Sequence, residues 1–276
     1  MATPQLTKSS IKGCFGDILI DVRASQYLTP MPAVLIAPGF KGFKDWGMFP
    51  LFAERVARAG LTAISFNVSG SGVDDEGRFA HPERFGHNTF SAELEDYRAI
   101  LTALDRGALG VPTPSSVGAV GHSRGGGLAT LLAASTDRIG ALVTWAAISR
   151  VGRWSPETRQ AWRDRGRHDV VNTRTGEVLP LYLDTLDDLE AHADRLDIEA
   201  AARRIAIPWL IVHGEADETV PVAEANVLKE ASRGAETLLV AGAGHTFGST
   251  HPFQTMTEAT DLVFGATVSF LSRHLD

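Results

Sequence analysis

Gly121-His122-Ser123-Arg124-Gly125 is the single G-x-S-x-G pentapeptide of the sequence. A serine hydroxyl becomes a useful nucleophile when it stands clear of the backbone on a sharp strand-to-helix turn. Glycines on both sides relieve the crowding such a turn creates. Glycine supplies 27 of the 276 residues, so the match takes its meaning from its surroundings. The apolar run 117–120 leads straight into it, a small-residue helical stretch follows, and Gly126 and Gly127 let that helix approach a sheet closely. The pattern predicts Ser123 as a nucleophile.

A nucleophilic serine needs a base, and the base needs an acid to orient it. The apolar run 209–212 leads into His213-Gly214-Glu215-Ala216-Asp217, and the run 237–240 leads into Ala241-Gly242-Ala243-Gly244-His245. Read alone, Ser123, Asp217 or His245 is an ordinary turn residue. Together, each just beyond the C-terminal end of an expected strand, they form a nucleophile, acid and base set. Glu215 and Glu218 are alternatives for the acid; His213 and His251 are alternatives for the base. His213 lies before its turn and reads as a strand-end cap, and His251 could shape the pocket but reads more simply as a hydrogen-bonded surface histidine.

Short buried-type strands alternating with helical segments must position these groups, which predicts a largely parallel sheet covered by helices. Expected strands lie at 33–36, 61–66, 117–120, 142–145, 209–212 and 237–240, after an opening hairpin (10–15 and 17–23) around Gly16. Phe49, Phe52, Ala53, Val56 and Ala57 recur with helical spacing. Further helices are expected over 90–104, with Asn88 or Thr89 as N-cap, over 128–134, and around 257–271; 67–89 reads as a long polar loop. The roughly sixty residues between the strands near 145 and 209 are too long for a simple crossover. Six arginines occupy 150–167, an acidic stretch fills 177–199, and 170–179 reads as a hairpin. We therefore expect a core of 1–148 and 205–276 with an inserted cap at 149–204.

Composition removes several classes. With 33 acidic against 26 basic residues, the net charge of −7 lacks the basic footprint of a nucleic-acid binder. No apolar run approaches the ~18–20 residues that span a bilayer, and the first ten residues lack a secretory layout, so a cytoplasmic protein without membrane contact is expected. One cysteine, Cys14, excludes internal disulfides and four-cysteine zinc sites, and reads as a small buried hydrophobe. Asp74, Asp75, Glu76, His81 and His87 crowd one loop without ligand spacing, so neither metal nor cofactor is expected.

The order Ser123, Asp217, His245 and the strand-to-helix setting of the serine resemble the α/β-hydrolases over nearly the whole chain. The resemblance implies an α/β fold with a mostly parallel central sheet flanked by helices and an inserted cap. It also implies that Ser123 attacks an acyl carbonyl, His245 takes and returns the proton, and Asp217 holds the imidazole tautomer. Two backbone N–H donors are then expected for the oxyanion, those of Arg124 and of Phe40 in the loop 38–46. That loop usually begins His-Gly in the family; here it begins Pro38-Gly39, which leaves the Phe40 donor in place. The cap, this loop and the Gly-Ala-Gly-His turn resemble the feruloyl/cinnamoyl esterase and dienelactone-hydrolase-like branches.

The expected activity is hydrolysis of a small-molecule carboxylic ester through an acyl-serine, with Trp154, Trp162 and Tyr182 of the cap as acyl or alcohol contacts. Amidase or acylaminoacyl-peptidase-like and thioesterase chemistry use the same groups, and a non-catalytic binding protein on the same fold is the alternative from another class. The cap arginines read as partners of the acidic half of the cap rather than as substrate ligands. The oligomeric state, a homodimer included, is left open.

Overall fold

The computed structural model describes residues 3–173 and 175–275. The chain opens with antiparallel β1 (Gln5–Gly13) and β2 (Gly16–Ala24), turning at Gly16, whose φ of 131° favours glycine. Then come β3 (Ala33–Ala37), α1 (Phe49–Arg58) and β4 (Thr62–Asn67). Within the stretch expected to be an irregular loop lies α2 (Pro82–His87), begun by a proline and burying Phe85. Next is α3 (Phe90–Asp105), whose N-cap Thr89 accepts from the Ala92 amide at 3.1 Å.

β5 (Val117–His122), α4 (Arg124–Ala133) and β6 (Ile139–Trp145) form the centre. The interval before the next sheet strand holds α5 (Pro156–Arg165), a separate two-stranded sheet of β7 (Arg167–Val171) and β8 (Val178–Tyr182), α6 (Asp184–Ala191) and α7 (Ile198–Arg204). The chain closes with β9 (Trp209–Gly214), α8 (Ala223–Ala231), β10 (Glu236–Val240) and α9 (Glu258–His274).

Eight strands form one sheet in the order β1-β2-β4-β3-β5-β6-β9-β10. Pairing is antiparallel from β1 to β4 and parallel from there onward. Both faces are covered, so alternate residues of one strand enter different cores. In β3, Val34 and Ile36 pack with α1 and α9, whereas Ala33, Leu35 and Ala37 pack beneath α3 and α4. In β9 the same split sends Leu210 and Val212 one way and Trp209 and Ile211 the other. This explains why these strands read as continuous apolar runs. Each fully buried Val, Leu or Ile among them contributes about 1.5–3 kcal/mol.

Within the interval between β6 and β9, Leu189 of α6, Leu196, and Ile198, Ala201 and Ala202 of α7 join the core beneath the sheet. Small residues make this possible, since a Cβ on Gly127 of α4 would lie 2.7 Å from Ile198 Cδ1. The layer above is a third cluster in which Trp162, Leu179, Leu181 and Leu186 pack against Phe43, Phe79 and Phe85. Among the described residues no helix is long and apolar enough to cross a membrane.

Candidate active site

Ser123 joins β5 to α4 with φ 57° and ψ −120°, a left-handed conformation that costs a non-glycine residue ~1–3 kcal/mol. Neighbouring backbone holds it there. Its N–H donates to the Trp145 carbonyl at 2.8 Å, and its carbonyl accepts from Gly126 N–H at 3.0 Å and Ile148 N–H at 3.3 Å. The flanking glycines are steric requirements: a Cβ on Gly121 would strike the Gly125 carbonyl, and one on Gly125 would strike the Pro38 carbonyl.

Asp217 is buried in the turn after β9, while Glu215 and Glu218 beside it are exposed. Its Oδ1 accepts the amides of Thr219 and Val220, each at 2.9 Å, and its Oδ2 meets His245 Nδ1 at 2.8 Å. Burial alone would raise its pKa. Hydrogen bonds from His213, His245 and the Val220 amide outweigh that and hold the carboxyl well below the usual range, so it stays ionised. An ionised acceptor at Nδ1 leaves His245 Nε2 free to act as an acceptor.

Two more histidines complete this corner. His213 is fully buried with Nε2 2.8 Å from the Val220 carbonyl and 3.5 Å from Asp217 Oδ2. It braces the acid's turn, in keeping with a strand-end cap. His122 Nε2 lies 2.9 Å from the His245 carbonyl. Burial, then the neighbouring His245, lowers its pKa to about 3, so it stays neutral and donates that hydrogen bond.

Loop 38–46 presses its backbone against the serine turn. A Cβ on Gly39 would lie 2.9 Å from Ser123 Cβ and 3.1 Å from the His122 carbonyl, which places Phe40 next to Ser123. A buried lysine anchors the loop: Lys44 Nζ sits 3.0 Å from Asp21 and 2.6 Å from Asp45, and its amide donates to Asn67 Oδ1 at 2.6 Å. The Arg124 side chain ties loop and turn together. Its guanidinium lies 3.7 Å from the Phe90 ring centre and 5.6 Å from that of Phe40, with Nη2 2.8 Å from Glu93 Oε1. Glu93 is buried; desolvation raises its pKa against the opposing Arg124 and Asn88. Lys44 and Glu93 escaped the sequence reading because an isolated charged residue carries no mark of burial.

Ser123 and His245 open into one cavity of about 560 Å³, walled by Phe40, Trp46 and Phe49. Its lining is also polar, with Thr219 and Thr250 and, from the hairpin, Asn172 and Thr173. His251 also lines it, accepting from Gly47 N–H at 2.9 Å and stacking on Trp46.

The three cap aromatics expected to touch substrate lie elsewhere. Trp162 is fully buried and packs edge-on against Trp154, with ring centres 5.2 Å apart, inside the cluster over Phe43 and Phe85. Tyr182 hydrogen-bonds Glu83 at 3.0 Å and packs on His87. Trp154 and Trp162 pack in the layer over Phe43 and Phe85, and the turn between β7 and β8 reaches the cavity through Asn172 and Thr173. Arg163 pairs with Asp187 at 3.2 Å and Glu190 at 2.5 Å in the acidic half, whereas Arg153 reaches Glu224 of the core at 3.1 Å. In the loop 74–87, Asp74 is paired with Arg78 at 2.7 Å and His87 with Asp184 at 3.1 Å. Among the described residues no three groups converge to hold a metal. Cys14 is exposed, a correction explained by its place beyond the edge strand β1.

The sequence profile of the alpha/beta hydrolase family matches residues 34–259. A curated relative, 2,6-dihydropseudooxynicotine hydrolase of Paenarthrobacter nicotinovorans, is 25% identical over 216 residues, 76% of this chain and 50% of its own. The chain thus spans about half the length of that relative. Among solved structures, Est1E from Butyrivibrio proteoclasticus superposes with a TM-score of 0.71 at 17% identity, covering 97% of this chain and 98% of its own. A putative hydrolase from Agrobacterium vitis gives 0.74 at 20% identity over 96% and 99%. The identities are low enough that these structures speak for the fold alone.

Proposed function

The chain belongs to the alpha/beta hydrolase family, and from that premise we propose that it is a serine hydrolase of carboxylic esters. The observation that carries the proposal is the ionised Asp217 held 2.8 Å from His245 Nδ1, with His245 and the strained Ser123 facing one cavity. In this reading Ser123 Oγ attacks the ester carbonyl while His245 Nε2 takes its proton. The amides of Phe40 and Arg124 receive the developing oxyanion. His245 returns the proton to the departing alcohol and then activates a water that cleaves the acyl-serine. No cofactor enters this sequence.

Phe40, Trp46 and Phe49 in the lining suit an acyl chain or aromatic ring, and the threonines and Asn172 suit a polar substituent. Ferulic acid has been bound to Est1E, so feruloyl esters belong in the substrate panel together with short alkyl esters, thioesters and amides. In this proposal residues 149–204 act as a cap whose hairpin turn shapes the cavity. The test is intact-mass analysis after fluorophosphonate treatment, with peptide mapping. We expect one adduct, on Ser123, and a kcat for Ser123→Ala reduced by at least ~10³-fold on the best ester. An adduct elsewhere, or a variant retaining a tenth of the activity, refutes the assignment.

A further inference from the structure

Apart from the reacting groups, the described residues that line the cavity carry one fixed charge. Among the described residues its lining has no Asp or Glu, and Lys41 is its single Lys or Arg. Lys41 follows Phe40 with φ 61°, a left-handed conformation that costs a non-glycine residue ~1–2 kcal/mol. Its Nζ donates to the Val171 carbonyl of the hairpin at 3.0 Å. An ammonium has three N–H donors, so one carbonyl leaves two unused.

The contrast with Lys44, three residues on, is informative. Lys44 is buried between two carboxylates, whereas partial burial lowers the pKa of Lys41 with no carboxylate to offset it. One loop therefore neutralises one lysine and presents the other, half-buried and lacking a carboxylate partner, to the cavity that holds the nucleophile.

We propose that Lys41 forms an anion-recognising subsite and that the ester hydrolysed here carries a carboxylate near its scissile carbonyl. The proposal rests on the acyl-serine reading of Ser123. Gly39 touches the serine turn, and Lys41, two residues on, lines the same cavity as Ser123, the placement that a short dicarboxylic monoester would need. A carboxylate on a half-buried ammonium also makes the stronger, charge-assisted class of hydrogen bond.

The carboxylate has two sources, the acyl and the alcohol part. Monomethyl glutarate tests the first against methyl butyrate, and O-butyrylglycolate tests the second against ethyl butyrate, in wild type, Lys41→Met and Lys41→Arg. We expect wild type to favour at least one anionic ester over its neutral counterpart by about tenfold or more in kcat/KM. Lys41→Met should abolish that ratio and Lys41→Arg should keep it. No preference in wild type, or an unchanged ratio in Lys41→Met, overturns the subsite. Calorimetric titration with glutarate and glutaramide gives a readout independent of turnover. Glutarate should bind wild type at least about tenfold more tightly than Lys41→Met; equal binding, or none, counts against the proposal. Lys41-dependent glutarate binding without a fluorophosphonate adduct on Ser123 would strike the hydrolase reading and leave the subsite standing.

Discussion

Ser123 and Arg124 divide one task between backbone and side chain. Strain at Ser123 points its hydroxyl out of the turn, while the Arg124 guanidinium, stacked between Phe90 and Phe40, couples the turn to the loop that flanks the nucleophile. Both proposed oxyanion amides thus belong to residues whose side chains touch. Glu93 makes this possible as the buried counter-charge of Arg124. Glu93→Gln leaves that guanidinium without a full partner, and we expect a loss of roughly 3–5 kcal/mol in urea denaturation, with kcat falling more than KM changes. An unchanged kcat per folded molecule would mean that the pair stabilises the fold without positioning the loop.

At the scale of elements, the insert between β6 and β9 does two separate jobs. Trp162, Leu179 and Leu181 bury themselves against Phe43, Phe79 and Phe85 and so seal the layer over the loop 38–46. The turn between β7 and β8 alone delivers Asn172 and Thr173 to the cavity. Trp162→Ala should therefore cost about 3–5 kcal/mol in stability through the void it leaves. Ester specificity, measured as the ratio of kcat/KM for a short and a long acyl chain, should move by less than about threefold, under 1 kcal/mol. A large shift in that ratio would return Trp162 to the substrate-contacting set. The α7 helix behaves differently, since its apolar face completes the core, and a truncation that removes it should unfold the protein.

For the whole molecule, burying the catalytic corner couples folding to pH. His122 stays neutral in the fold down to about pH 3, whereas an unfolded histidine binds a proton near pH 6.5. Between those values the unfolded chain takes up a proton that the native state refuses, so stability falls as pH falls. The Asp217 contribution is present above the usual carboxylate range and is lost progressively as pH falls from that range toward its lowered native pKa. Urea titrations at pH 7.5 and pH 5 should show wild type losing ~2 kcal/mol more than His122→Gln over this interval. Equal losses would show that His122 is protonated within the fold.

How much of this was legible beforehand follows from what periodicity and spacing encode. Runs of apolar residues such as 33–36 and 209–212 announce strands buried on both faces, and the glycines around Ser123 announce a turn too tight for side chains, because both are local constraints written into adjacent residues. The same locality placed Asp217 and His245 just past strand ends, and parallel pairing of β9 with β10 then brings them together. Which charged residues are buried was not legible. Lys44, Glu93 and Lys41 look alike in sequence, and only contacts with distant elements separate a paired lysine from one left facing the cavity. Where the aromatic rings of the insert pack was hidden for the same reason. An apolar ring seeks any apolar surface, and the tertiary structure alone decides that for Trp162 the surface is Phe43 and Phe85 rather than a substrate.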